Sequence, residues 1–382
     1  MKIAGVRYYG EDFAFHYGSV TVENGLFTRL EPAAEEAPAN CPMLWPGLVD
    51  IHLHGNSGAD FSDGDYDGLV KMARYLASVG VTSFSPASMT LPEATLEKAC
   101  RTAARLRDEA PDNAAVLRGV TMEGPFFNAA KKGAQAAEYL RLPDITLFRR
   151  LQKAAGGLIR IACVAPELEG AAEYIRAVTQ EGVTVSEAHT AANYDAAAAG
   201  FAAGARHVTH LFNAMPPLLH REPGVIGAAS ERPDVTAELI CDGYHIHPSA
   251  VRAAFKLFGP ERLCLVSDAI SATGLGDGAC TLGGQAVTVR DGRATLADGT
   301  LAGSVASLFG CVRQAVSMGI PLESALRCAT ANPARVIGAE DVGVIAVGKR
   351  ADCLLCGADL SLQAVWLAGQ KLGAPLGTTT SD

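Results

Sequence analysis

The chain has no run of 18 uninterrupted apolar residues, so no membrane-spanning helix is expected. Its first residues, MKIAGVRYYGEDFAFHYG, lack a charged segment followed by an apolar core, so no secretory signal is expected. No long basic run occurs and the net charge is −9, which argues against nucleic acid as a partner. Nor is there low-complexity sequence or an internal repeat. An anionic small molecule stays open, but it would need a local cationic pocket. The 10 cysteines are scattered. Cys353 and Cys356 form a C-x-x-C without a second pair or a nearby histidine. In ADCLLCGAD, which reads as a strand, positions three apart face opposite sides. These thiols are therefore expected to be reduced and mostly buried, in a cytoplasmic protein with no membrane contact.

What is present points to a compact enzyme: 49% hydrophobic residues and 40 glycines in 382 residues. Between Leu44 and Ala269 eight β-type runs can be counted: LWPGLVDIHLH, VTSFSPAS, LRGVTMEG, LIRIACVAPE, VTVSEAHT, HVTHLFN, VTAELICDG and RLCLVSDA. Helical patterns separate most of them, as in DYDGLVKMARYLASVG, LPEATLEKACRTAARLRDEA and PSAVRAAFKLFG. Strands alternating with helices predict right-handed βαβ units and a parallel sheet. Eight such units fit an α/β fold of the (β/α)8 TIM-type barrel kind. An open doubly wound sheet is the rival.

The two ends differ from the middle. Residues 1–45 and 341–382 alternate as short strands, and neither end carries enough apolar surface to fold alone. They are expected to combine into a small β-sandwich, leaving 46–340 as the barrel. Segment 281–299 reads as a hairpin with Asp291-Gly292 at its turn.

Five of the strand-like runs end in metal-type ligands: His52 and His54, Glu123, His189, His210 and Asp268. They spread over more than two hundred residues, and no local structure needs that order. A closed barrel gathers the carboxyl ends of its strands at one mouth, whereas an open sheet would not bring these runs together. Period-2 geometry puts His52 and His54 on one face of a strand. An acid inside a β-run, as at Glu123, is costly to bury without a counter-charge, which a metal or a neighbour such as Arg118 or Lys131 would supply. Singly, His189 and His210 would read as hydrogen-bonded core histidines. Together, imidazoles and carboxylates suit zinc, with iron, manganese or cobalt as alternatives, at one or two divalent sites. Asp268 beside such a centre is placed to take a proton from water and return it to a leaving amine.

The motifs PGLVDIHLHG, MEGPFFN, EAHT, HLFNAMPPLLHREPG, CDGYHIHP and LVSDAISATG together resemble the N-acetylglucosamine-6-phosphate deacetylases of the amidohydrolase superfamily. The resemblance covers nearly the whole chain. It implies hydrolysis of an N-acetyl group from a phosphorylated amino sugar in amino-sugar catabolism, by a homodimer. It implies Glu123, His189 and His210 as ligands of a principal metal. With His52 and His54 present, a second metal is expected, with Glu123 bridging. Asn213, the backbone of Ala214, His245 and Arg221 are the implied substrate contacts, with Arg221 reaching a neighbouring subunit's phosphate. His207, His220 and His247 are read as bystanders. One departure is Gln135, where the family commonly shows histidine, at a position implied to contact substrate near the reacting carbonyl. The same chemistry on N-acetylgalactosamine 6-phosphate, or on another N-acyl or cyclic amide, is the alternative. A catalytically idle sugar-phosphate binder would be expected to lose a ligand or the general base, and all six positions are intact.

Overall fold

The structure, a computed structural model, describes residues 1–373; the last part of the expected C-terminal segment, 374–382, lies outside the described residues. Eight parallel strands form the central sheet: Leu48–Asp50, Val81–Phe84, Val120–Met122, Ile159–Val164, Thr184–Glu187, His207–Val208, Thr236–Ile240 and Leu263–Val266. A parallel bridge between Ala87 and Thr121 joins the second strand to the third. Backbone bonds from Asp268 to the His52 carbonyl (2.9 Å) and from His54 to the Ala269 carbonyl (2.7 Å) join the eighth to the first. The sheet thereby curls round on itself as the expected TIM-type barrel, and each of the eight strand-like runs supplies one strand.

The helices start where side chains can accept their free amides. Asp65 caps Tyr66–Ser78 by accepting from Gly68, and Asn193 caps Tyr194–Ala203 by accepting from Ala196. Helix Ile145–Ala154 was not among the helical patterns singled out from the sequence, although Asp144 accepts from two of its amides and Leu147, Phe148 and Leu151 form its buried stripe. After the eighth barrel strand, Asn332 anchors the closing helices. Its buried amide donates to the carbonyls of Pro260 (2.7 Å) and Leu263 (2.6 Å).

The small domain is a separate seven-stranded sheet drawn from both ends of the chain. Met43–Pro46 sits at its centre, parallel to Lys2–Tyr9 and antiparallel to Cys353–Cys356. Where a sandwich was expected, the two ends of the chain share one continuous seven-stranded sheet. Met43–Pro46 also couples the two bodies through strand alternation. Leu44 joins the small domain's core of Val20, Phe27 and Trp366, while Met43 and Trp45 enter the barrel's core, with Trp45 stacked on Phe309 at 5.6 Å. Gly47 follows, at a place where a Cβ would come within 2.1 Å of the Thr82 hydroxyl, so only glycine lets the chain turn into the barrel wall here.

Segment 281–299 differs from the single hairpin expected. Gly278–Leu282, Gln285–Arg290 and Arg293–Thr295 form three antiparallel strands. The Asp291-Gly292 turn is where expected, both residues having positive φ as a two-residue type I′ turn requires. The loop that leaves this sheet, Thr300–Gly303, returns over the mouth of the barrel.

Candidate metal centre and active site

The six expected ligands meet at the barrel mouth in two groups. His52, His54 and Asp268 make one, and Glu123, His189 and His210 the other. All six residues are at least nine-tenths buried. His189 (φ 44°), His210 (φ 29°) and Asp268 (φ 48°) have left-handed backbones immediately beyond their strands. Such conformations cost roughly 1–3 kcal/mol each in non-glycine residues and cluster where function demands a particular side-chain direction. Gly303 packs over the last of these turns; a Cβ there would lie 2.8 Å from the Asp268 carbonyl.

Glu123 is the shared member. Its Oε1 lies 3.1 Å from His189 Nε2 and 3.2 Å from His210 Nε2, and those two nitrogens are 3.1 Å apart. Its Oε2 lies 3.3 Å from His54 Nε2, which is itself 3.3 Å from Asp268 Oδ1. His52 Nε2 stands further off, 3.6 Å from Glu123 and 3.7 Å from Asp268. Ligands on a tetrahedron with bonds of about 2.0–2.1 Å are separated by roughly 3.3 Å, so both groups have the spacing of a coordination sphere.

The outer ring nitrogens explain why the inner ones are free. His52 Nδ1 bonds to Glu238 (2.8 Å), His54 Nδ1 to the Ala87 carbonyl (3.2 Å) and His189 Nδ1 to the Lys131 carbonyl (2.9 Å). With the proton committed to Nδ1, each Nε2 presents its lone pair to the centre. His52 Nε2 is buried without any hydrogen-bond partner among the described residues, a cost that a bound cation would remove. Burial works to raise the Glu123 carboxyl, but the surrounding His52, His189 and His210 outweigh it and hold the group well below the usual carboxylate range. Asp268 is likewise lowered, burial being overcome by His54 and His52. Both carboxylates are therefore charged at neutral pH, as metal ligands must be.

A cavity of about 250 Å³ opens above this centre, at the small end of ligand clefts and suited to a one-ring molecule. His54, Glu123, His189, His210 and Asp268 form its floor, and Asn213, Ala214 and His245 belong to its lining. His245 Nδ1 bonds to Asp242 (2.7 Å). Burial lowers the His245 pKa, yet the Asp242 bond and charge prevail and raise it above the ordinary imidazole value.

Gln135 also lines the cavity, but both ends of its amide are engaged. Nε2 donates to Glu123 Oε2 (2.9 Å), and Oε1 accepts from the Thr90 amide (2.7 Å). Its first duty in this chain is thus to hold the Glu123 carboxylate. Arg221 is not among the residues lining the cavity. It is exposed, bonds to His220 Nε2 (2.7 Å) and borders a surface cleft with Asn193 and Asp195. Of the supposed bystanders, His247 caps helix Pro248–Phe258 by accepting from Ser249, while His207 is fully buried behind the metal centre and bonds to Glu238.

Three buried acids on the barrel strands were not evident from the sequence. Glu238 accepts from His52, His207 and the His210 amide. Asp50 accepts from the Ser267 hydroxyl (2.5 Å) and stitches the first strand to the eighth, burial pushing its carboxyl up to about 7. Glu187 is buried without a hydrogen-bond partner among the described residues, and burial raises it well above the carboxylate range. The available signal was the one that singled out Glu123: an acid inside a strand whose neighbours are apolar.

The fold and the site together define a metal-dependent hydrolase, and comparison with known proteins agrees. The model of the amidohydrolase family matches residues 43–372. The chain belongs to that family. N-acetylglucosamine-6-phosphate deacetylase from Bacillus subtilis (strain 168) is 39% identical over 335 residues, covering 86% of this chain and 84% of the relative. N-acetylgalactosamine-6-phosphate deacetylase from Escherichia coli O157:H7 is 35% identical over 352 residues, 91% and 93% of the two chains. Among solved structures, N-acetyl-D-glucosamine-6-phosphate deacetylase from Mycobacterium smegmatis, in a mutant form complexed with N-acetyl-D-glucosamine-6-phosphate, superposes with a TM-score of 0.88 at 32% identity, covering 97% of this chain and 96% of that one.

Because Glu123 faces both groups, replacing it should empty both. The Glu123→Gln protein, dialysed against zinc and quantified by plasma emission spectrometry, is expected to lose at least tenfold in affinity for each equivalent. Full retention of one equivalent would show that the carboxylate serves a single site.

Proposed function

We propose that this chain hydrolyses the N-acetyl group of N-acetylglucosamine 6-phosphate, releasing acetate and glucosamine 6-phosphate, in amino-sugar catabolism. The observation that carries this reading is the pair of ligand groups sharing Glu123 under a one-ring cavity, in a chain whose relatives bear that activity in their names. His52, His54 and Asp268 would hold one divalent metal, and Glu123, His189 and His210 another, with Glu123 bridging. Zinc suits the nitrogen and oxygen donors best, with iron, manganese and cobalt also accepted by such a set. When bound, the metal supplies Lewis-acid polarisation of the acetyl carbonyl and lowers the pKa of water toward about 7.

The remaining work falls to this chain's side chains. Asp268 is the general base: its carboxylate takes one proton from the attacking water as oxygen bonds to the acetyl carbon. The same carboxyl then returns that proton to the departing nitrogen as the C–N bond breaks. Gln135 keeps the Glu123 carboxylate turned inward through its 2.9 Å bond. Asn213, the Ala214 backbone and His245, which line the same cavity, receive the sugar phosphate. Arg221 would complete phosphate recognition from a second copy of the chain in a homodimer. Two exposed leucines beside it, Leu218 (43% exposed) and Leu219 (51%), support a contact surface there. Among the described residues no helix is long and apolar enough to cross a membrane, and all ten cysteines are free, which supports a reducing, cytoplasmic home.

N-acetylgalactosamine 6-phosphate is the second reading, favoured by the similarity to the E. coli relative at nearly the same identity. Acetate release by metal-loaded protein from both epimers, and from unphosphorylated N-acetylglucosamine, decides among them. Turnover of the gluco phosphate at ten times or more the rate of the others is expected. A faster galacto reaction would transfer the assignment to that epimer, and equal rates without phosphate would remove the phosphosugar from the reading.

Asp268→Asn should lower kcat by a factor of about 10³ or more while substrate affinity changes little, in line with loss of an acid–base group on both half-reactions. A variant within tenfold of wild-type turnover would take the proton-transfer role away from Asp268.

The raised His245 pKa sets a pH dependence. The imidazolium is favoured by Asp242 in the folded protein, so this stabilising charge is fully present at low pH and is lost as pH rises through the raised pKa. The phosphate is dianionic above about pH 7. KM for the phosphosugar should therefore climb on the alkaline side in wild type and stay flat in His245→Gln. A KM–pH profile identical in the two proteins would exclude His245 from phosphate binding.

A further inference from the structure

The fully buried carboxylate of Glu238 lies beneath the centre, on strand Thr236–Ile240, and touches both ligand groups at once. Oε2 accepts from the ring of His52 (Nδ1, 2.8 Å) and from the backbone amide of His210 (3.0 Å). Oε1 accepts from His207 Nε2 (3.1 Å). His207 is held in turn by Thr236 Oγ1 at 2.6 Å. The next turn is fixed to the same residue, because the Leu211 amide donates to the Glu238 carbonyl (2.9 Å).

We propose that Glu238 is a positioning residue that presets His52 and His210 for metal, and that His207 locks Glu238 in place. The inference rests on the reading that the two groups hold divalent metals. A neutral imidazole has one N–H, and the tautomer present is set by what the other nitrogen meets. Glu238 accepts a hydrogen bond from His52 Nδ1–H, which leaves the lone pair of Nε2, unpartnered among the described residues, aimed at the centre. Its hold on the His210 amide fixes the left-handed turn (φ 29°) that throws that side chain inward. A carboxylate is required because three donors converge on two oxygens. An amide would bring one oxygen and two further N–H groups, leaving at least one buried donor facing another. His207, which looked like a bystander, is the third of these donors.

The test is a cobalt titration of metal-free wild type and Glu238→Gln, followed by calorimetry and by the visible spectrum of the bound ion. Wild type should take up two equivalents. In Glu238→Gln the equivalent at His52, His54 and Asp268 should weaken by about 10–100-fold, the usual effect of losing a partner behind a ligand, with an altered spectrum. The equivalent at Glu123, His189 and His210 should weaken less, since only a backbone contact is lost there. Unchanged affinities and spectra, with wild type binding normally, would overturn the role of Glu238 alone. Absence of cobalt binding by wild type would overturn the metal reading and this inference with it. If Glu238→Gln does not fold, His207→Gln takes its place: it keeps the carboxylate but loosens it. A several-fold loss at the same site is then expected, and wild-type affinity would overturn the proposal.

Discussion

The structure depends on one buried carboxylate. Glu123, 2% exposed, is faced by His52, His54, His189 and His210, which come from three separate strand ends. A charge in that position is tolerable only with several partners in good geometry, because the interior neither solvates nor screens it. The barrel makes this possible by bringing the ends of strands remote in sequence to one point. The cost is visible in the backbone, where His189, His210 and Asp268 all take up the left-handed region. A fold that accepts roughly 1–3 kcal/mol of strain at each of three ligands is organised around what those ligands hold.

Around Glu123 lies a second layer that fixes direction rather than charge. Gln135 and Ser88 bond to Glu123 itself, Glu238 to His52 and His210, and the Ala87 and Lys131 carbonyls to His54 and His189. Asp50 ties the end of the first strand to Ser267, the residue before Asp268. The ends of the barrel's two closing strands, which carry three of the six ligands, are therefore joined by a side chain as well as by backbone. Sites supported in this way keep their geometry before anything binds, which is what metal affinity and rapid chemistry both require.

Most of the fold was legible in the sequence because period-2 and period-3.6 patterns are local, and because the ligands mark strand ends directly. His52, His54, Glu123, His189, His210 and Asp268 were found by residue type and by place in a run, and the structure brings all six together. What was not legible depends on direction. Gln135 looks like a substrate contact by its position in a motif, but nothing local shows that its amide turns onto Glu123 and Thr90. Glu238 and His207 sit in separate short runs and acquire meaning only when two neighbouring strands are laid side by side. Glu187 carries the same acid-in-a-strand signal, yet its carboxylate has no hydrogen-bond partner among the described residues, so the signal alone does not separate a functional acid from an isolated one. Arg221 is a further kind of case: its expected role belongs to an assembly, and a single chain leaves it on the surface beside His220.

The lining of the cavity carries both negative groups and hydrogen-bond donors. Its floor carries the Glu123 and Asp268 carboxylates, both held in the charged form. A phosphate directed at that floor would meet two negative charges in a low-dielectric setting unless metal intervened, and metal so occupied could not polarise an acetyl group. The lining contributed by Asn213, Ala214 and His245 offers donors instead, and Asp242 favours the positive form of His245. Under the proposed function, the phosphate is therefore best received by the donors of this lining, with the acetyl group toward the carboxylates. The protein's net charge of −9 does not oppose this, because it is the local arrangement of donors, not the overall sum, that a bound anion meets.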